Sequence, residues 1–186
     1  MKKYLLILAA ALSFAACDNS EEPSAPFDDL IAGFDIAKMD QVQFVDALTS
    51  SFVEEVDGMV HMPNQGWIPL AELLGRNVIN YLFYADGGCW ACLPFNNGIG
   101  PLCPPYHAQV TWGYDATTSE LLLGETNKKK ILYYKNDRLI LEHIAYDVNG
   151  GKRTYRVVYQ LHFGEEVRKD KAEFYKTTWE EVRDAY

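Results

Sequence analysis

Between residues 77 and 163 the chain repeats one pattern: a short stretch of strand-forming residues, then a turn, then another stretch. Such a succession leaves few folds open. Buried strands must pair their backbone groups with neighbours, and tight turns join only antiparallel neighbours. Residues 77–85, 107–114, 121–123, 130–135, 139–146 and 155–163 read as strands. The turns are clearest at Asp86-Gly87-Gly88, Lys135-Asn136-Asp137 and Asn149-Gly150-Gly151, where the residues accept left-handed backbone. The chain's 12 Tyr, 9 Phe and 4 Trp suit a pleated, half-buried surface.

The hairpin over residues 139–163 is the most readable piece. With Gly150-Gly151 as its turn, Ile140 lies opposite Leu161, Ile144 opposite Val157 and Tyr146 opposite Tyr155. Moving the turn to Asn149-Gly150 shifts the pairing by two and keeps each side chain on its face. The expected inner face then carries Ile140, Glu142, Ile144, Tyr146, Tyr155, Val157, Tyr159, Leu161 and Phe163. His143 and His162 fall on the other face with Leu139, Arg156 and Gln160, as surface residues.

Helices flank the strands. Val42, Val45, Leu48, Phe52 and Val56 recur at three- and four-residue intervals, which predicts a helix over 40–56 capped by Asp40 and stopped by Gly58. Residues 70–74 suit one helical turn or part of a strand. Thr178-Trp179-Glu180-Glu181 fits a capping box that opens a short C-terminal helix. The predicted fold is mainly β, an antiparallel meander closing into a barrel or half-barrel with one helix at each end. A cystatin-like helix-on-sheet fold is the alternative.

The N-terminus carries an address. Met1-Lys2-Lys3 precedes a short apolar run from Tyr4 to Leu12, then Ser13-Phe14-Ala15-Ala16-Cys17. The run is shorter than the ~20 residues that span a bilayer, and its anatomy is that of a signal peptide. The expected organisation is a signal peptide over 1–16, a lipidated Cys17 with an acidic tether to residue 26, and one globular domain over 27–186. Losing Lys2 and Lys3 makes a chain of formal charge -9 two units more negative. So acidic a protein has no electrostatic case for nucleic acid. Lys128-Lys129-Lys130 is its one basic run and reads as a solvated turn.

Ala15-Ala16-Cys17 resembles the lipobox of bacterial lipoproteins, although Phe14 stands where Leu is usual. That resemblance implies diacylglycerol on the Cys17 thiol, cleavage before it and acylation of the freed amine. Two or three acyl chains hold a protein firmly at a bilayer. The acidic residues Asp18, Glu21 and Glu22 resemble the surface-export signal of Bacteroidetes lipoproteins. Trp112-Gly113-Tyr114-Asp115, Leu121-Leu122-Leu123, Lys130-Ile131-Leu132-Tyr133-Tyr134 and residues 136–142 resemble the repeated hairpins of lipocalin-like lipoproteins of Bacteroidetes. The resemblance implies an outer-membrane lipoprotein with a helix and a small up-and-down barrel. The Cys-rich insertion at 87–105 stands outside it.

Cys89-Trp90-Ala91-Cys92, Cys103 and His107 offer three thiolates and an imidazole, the donor types of a tetrahedral zinc site. In an exported chain a disulfide from Cys103 to Cys89 or Cys92 is the favoured reading, with zinc and free thiols as alternatives. Pro94 and the nearby glycines read as a loop and argue against a redox motif. His-Glu-x-x-His, Gly-x-Ser-x-Gly, phosphate-cradling and dinucleotide fingerprints are lacking, and no cofactor is expected. Glu54, Glu55 and Asp57 read as the solvated close of a helix. Glu142 is the residue of interest: a carboxylate on an aromatic face needs a partner such as Arg138 or Arg153, or a ligand. Glu142, Tyr146, Tyr155 and Tyr159 are the candidate ligand-binding residues. The expectation is a non-catalytic, membrane-anchored module binding a small apolar ligand or an envelope protein. An envelope enzyme and a structural accessory subunit are the alternatives.

Overall fold

Strand polarity and register organise the molecule. The structure, a computed structural model, describes residues 24–74, 79–93 and 106–185; the signal segment, Cys17 and Cys103 lie outside them. Nine described strands form one antiparallel sheet: β1 (Ser51–Met62), β2 (Gly66–Pro69), β3 (Tyr81–Phe83), β4 (Gly88–Leu93), β5 (Tyr106–Asp115), β6 (Glu120–Leu123), β7 (Asn127–Lys135), β8 (Arg138–Tyr146) and β9 (Lys152–Phe163). The last strand returns to the first, pairing from Ser51 opposite Phe163 to His61 opposite Thr154. Eight strands therefore close into an up-and-down barrel, with β2 folded back on β1 alone. Closure rules out the open helix-on-sheet alternative.

A helix fills one end. Asp40 caps α2 (Gln41–Ser50), accepting from the Gln43 N–H at 3.0 Å; α1 (Asp28–Ala32) and a 3-10 turn (Ile36–Lys38) precede it. The buried stripe of α2 is Phe44, Ala47 and Leu48, while Val42 is exposed. Phe44 lies edge-on to Tyr114 and Tyr134, with ring centroids at 5.5 and 4.9 Å. The predicted helix over 40–56 ends early, at Ser50. Apolar spacing continues through Phe52 and Val56, but both lie in β1, where β9 supplies a long ladder: Phe52 pairs with His162, and Val56 falls at the register shift between Glu55 and Asp57. A short helix α3 (Leu70–Leu74) follows β2, and Leu70 packs into the core.

The C-terminal helix α4 (Glu165–Ala185) is longer than expected. Gly164, with φ of 131°, ends β9, and Glu165 and Glu166 form the first turn. The Thr178 region therefore lies inside the helix and does not open it. No described helix is long and apolar enough to cross a membrane. Tyr175 packs with Phe52 and Leu82 on the outside of the barrel.

The hairpin β8–β9 corrects one expectation. Its loop has five residues, with Tyr146 opposite Lys152. Asp147 organises the loop: its carboxylate accepts from the N–H groups of Asn149 and Gly151, each at 2.9 Å. Ile140 consequently lies opposite Val158 and His143 opposite Tyr155. On β9 the inward residues are four of the five expected, Tyr155, Val157, Tyr159 and Leu161, while Phe163 at the end of the strand is exposed. On β8 the phase is reversed: Leu139, Leu141 and His143 face inward, and Glu142, Ile144 and Tyr146 face outward. A one-residue change in register moves every side chain to the opposite face. In urea titrations, Leu141→Ala is expected to cost about 2–5 kcal/mol. Tyr146→Ala should stay within about 0.5 kcal/mol, and equal losses at both positions would contradict this register.

Candidate functional site

The barrel wall is apolar with a few ionisable exceptions, and these face one another. Lys129 sits on β7 opposite Leu121 of β6, one residue before the Lys130–Glu142 pair that joins β7 to β8. Strand alternation turns it inward with Ile131, and it is 3% exposed. It is the middle of the basic run that reads as a solvated turn; Lys128 and Lys130 do point outward. His143 is inward on β8, stacked on Tyr155 with centroids 4.6 Å apart and planes at 10°. Glu55 is inward on β1, opposite Tyr159. Sequence reasoning missed Glu55, Lys129 and His143 as interior residues, and the signal that finds them is strand phase.

Their electrostatics follow from burial. Loss of hydration pushes the Glu55 carboxyl up to about 7, partly offset by a 3.1 Å hydrogen bond from the Ile79 N–H and by Lys129. It also pulls the Lys129 ammonium down to about 8, with Glu55 opposing the shift. Burial and then the nearby Lys129 charge lower His143 to about 3, so its imidazole is neutral across the physiological range. The Tyr159 phenol is pushed well up by burial, then by Tyr81 and Glu55. Among the described residues no carboxylate oxygen lies within 4.0 Å of the Lys129 ammonium. The Nδ1 of His143 is likewise buried with no hydrogen-bond partner.

The residues expected to bind ligand divide between two faces. Tyr155 and Tyr159 line the interior. Tyr146 is on the outer face and 70% exposed. Glu142 is also outside, and its partner is Arg156 rather than Arg138 or Arg153. The guanidinium of Arg156 donates to Glu142 at 2.9 Å, to Asp28 at 2.7 Å and to the Pro26 carbonyl at 2.9 Å. It also lies over the Trp67 ring, 5.2 Å from the centroid. This cluster ties the segment at Pro26 and Asp28 to the barrel wall. Beside it, Glu120, Thr126, Asn127, Lys128, Lys130, Glu142, His143 and Ile144 line a recess of about 330 Å³.

In the insertion, Cys89 to Cys92 form part of a strand and not a loop. Cys89 is buried and carries a free thiol. Burial pushes that thiol's pKa up, away from reactive thiolate. The register sets Cys92 opposite His107, but their side chains and Cys103 lie outside the described residues.

A closed eight-stranded up-and-down barrel with a helical stopper defines a lipocalin-like module. The sequence matches no protein-family model and no curated protein. Among solved structures it is similar to bovine odorant binding protein in complex with a selenium-containing odorant. That likeness covers 74% of this chain and 83% of the other at 14% identity, with a TM-score of 0.43. The barrel class rests on the strand order.

An unpaired buried ammonium costs stability, because the interior replaces hydration poorly. Lys129→Met is expected to raise unfolding stability at pH 7 by about 1–3 kcal/mol in urea titrations. Between pH 8 and 10.5 unfolding takes up protons at Lys129, since the folded pKa is the lower one. Wild-type stability therefore rises with pH across that window, and the gap to the variant should narrow. A variant less stable than wild type at pH 7 would show that Lys129 is satisfied within the fold.

Proposed function

We propose that this chain is a lipid-anchored, small-ligand-binding barrel of the bacterial cell envelope. One observation carries the binding part. On the wall of an otherwise apolar barrel the Nδ1 of His143 is buried without a hydrogen-bond partner, and Lys129, buried beside it, forms no ion pair among the described residues. Such groups in a lined interior are the usual fixing points of a small-molecule site. Partly buried Met62, Val110 and Tyr155 supply apolar wall. The lipobox-like Ala15-Ala16-Cys17 supports acylation of Cys17 and with it placement at the outer membrane, with the acidic tether favouring the surface-exposed side. The tether would run from the bilayer to Pro26, where Arg156 holds the chain. For a disulfide in the insertion, the buried Cys89 thiol favours Cys92 as the partner of Cys103.

A second reading, an interaction surface for an envelope protein, draws on Ile144, Tyr146 and Val148. They are exposed apolar residues at one end of the β8–β9 hairpin.

Titration of the purified mature chain with an uncharged naphthylamine dye should give saturable, one-to-one fluorescence enhancement, and none would defeat the ligand reading. Mass spectrometry of protein from the native membrane should find acyl groups on Cys17. Cys17→Ser should release the protein into the soluble fraction.

A further inference from the structure

We infer that the barrel interior selects an apolar molecule with an anionic head group, a carboxylate or a phosphate, held by the Lys129 ammonium with the His143 imidazole beside it. This inference rests on the ligand-binding reading and adds the chemistry of the ligand.

The position of Lys129 is the first argument. Its neighbours on the inner wall are Leu121 across β6, Ile131 along β7 and Leu141 on β8, all buried and apolar. A methionine or leucine would pack there without desolvating a charge. An ammonium in that place attracts any anion that reaches it, because the low-dielectric wall screens little. Lys129 forms no ion pair among the described residues, so the charge is uncommitted.

Glu55 is the competing partner, and its geometry places it elsewhere. Its carboxylate takes the Ile79 N–H at 3.1 Å, on the side of the barrel where β1 meets β3. Lys129 lies on β7, whose ladder partners are β6 and β8. The two charges feel one another without meeting. An anion entering the barrel meets Lys129 without first having to break an ion pair.

His143 supplies a second donor. Its ring is fixed flat against Tyr155, and Nδ1 has no partner. Protonated at Nδ1, the neutral imidazole offers one N–H next to an ammonium. Two adjacent donors suit the two oxygens of a carboxylate or a pair on a phosphate. The tail has an apolar surround. Below, Phe44 with Tyr114 and Tyr134 fills the end of the barrel. Toward the opposite end Met62, Ile68, Val110 and Tyr155 remain only partly buried.

The test compares ligands that differ only in the head group, using calorimetric titration of the purified mature chain. Dodecanoate and dodecyl phosphate should each bind about tenfold or more tightly than dodecanol. Lys129→Met should remove that preference, so that dodecanoate and dodecyl phosphate bind no more tightly than dodecanol. His143→Phe, which keeps the stack on Tyr155, should remove part of it. Equal affinity for the acid and the alcohol in wild type would overturn the head-group inference alone and leave the binding reading standing. Retention of the preference in Lys129→Met would do the same. Failure of all three alkyl ligands to bind would overturn both. Binding of inorganic phosphate or acetate as tightly as the alkyl anions would mark a small-anion site and overturn the requirement for an apolar tail.

Discussion

A barrel must close, and here closure between β1 and β3 depends on side chains as much as on backbone. One residue pair, Val53 with Tyr81, makes the ladder at that seam. The remaining groups are bridged from three directions. Asn80 accepts the Glu55 N–H, and the Glu55 carboxylate accepts the Ile79 N–H, each at 3.1 Å. From α4, the Arg168 guanidinium reaches the Ser51 carbonyl at 2.7 Å and the Phe83 carbonyl, with the Tyr84 ring beneath it. A guanidinium can serve both strands because its donors form a planar fork. Charge-assisted bonds of this kind are stronger than neutral ones, which suits a seam with so short a ladder.

The seam couples to the interior through Glu55. The carboxylate that staples β1 to Ile79 also faces into the barrel and shares its field with Lys129. Both groups shift in the direction burial dictates, toward their neutral forms. Burial of these two groups therefore costs the fold stability. Apolar residues elsewhere carry the stability: the α2 stopper, the inward residues of β8 and β9, and Tyr81 and Phe83 on β3.

Much of the barrel was legible in the strands and turns. Strands β5 to β9 fall close to their predicted positions, because two-residue alternation and left-handed turn residues are local signals. At the turn before β8, Asn136 and Asp137 both take positive φ, as a two-residue hairpin requires. Strands β1, β2 and β4 escaped, as did the phase of β8. The helical spacing of Phe52 and Val56 ran on into β1 and concealed Glu55. Strand β4 was hidden by glycines, prolines and cysteines that also suit a loop. Arg138 to Tyr146 is apolar in both phases, with Leu139 and Leu141 on one side and Ile140 and Ile144 on the other. Neither phase could be preferred without the loop geometry set by Asp147.

By itself, the sequence determined the strand number over most of the sheet, the antiparallel order and the helical stopper capped by Asp40. These follow from contacts between residues close in the chain. Tertiary structure decided which side of each strand looks inward, and with it the site. Lys129 lies among three lysines that look alike in sequence; only its neighbours Leu121 and His143, from other strands, make it a buried charge. Burial is set by what the rest of the chain packs around a residue, and no local pattern contains that information.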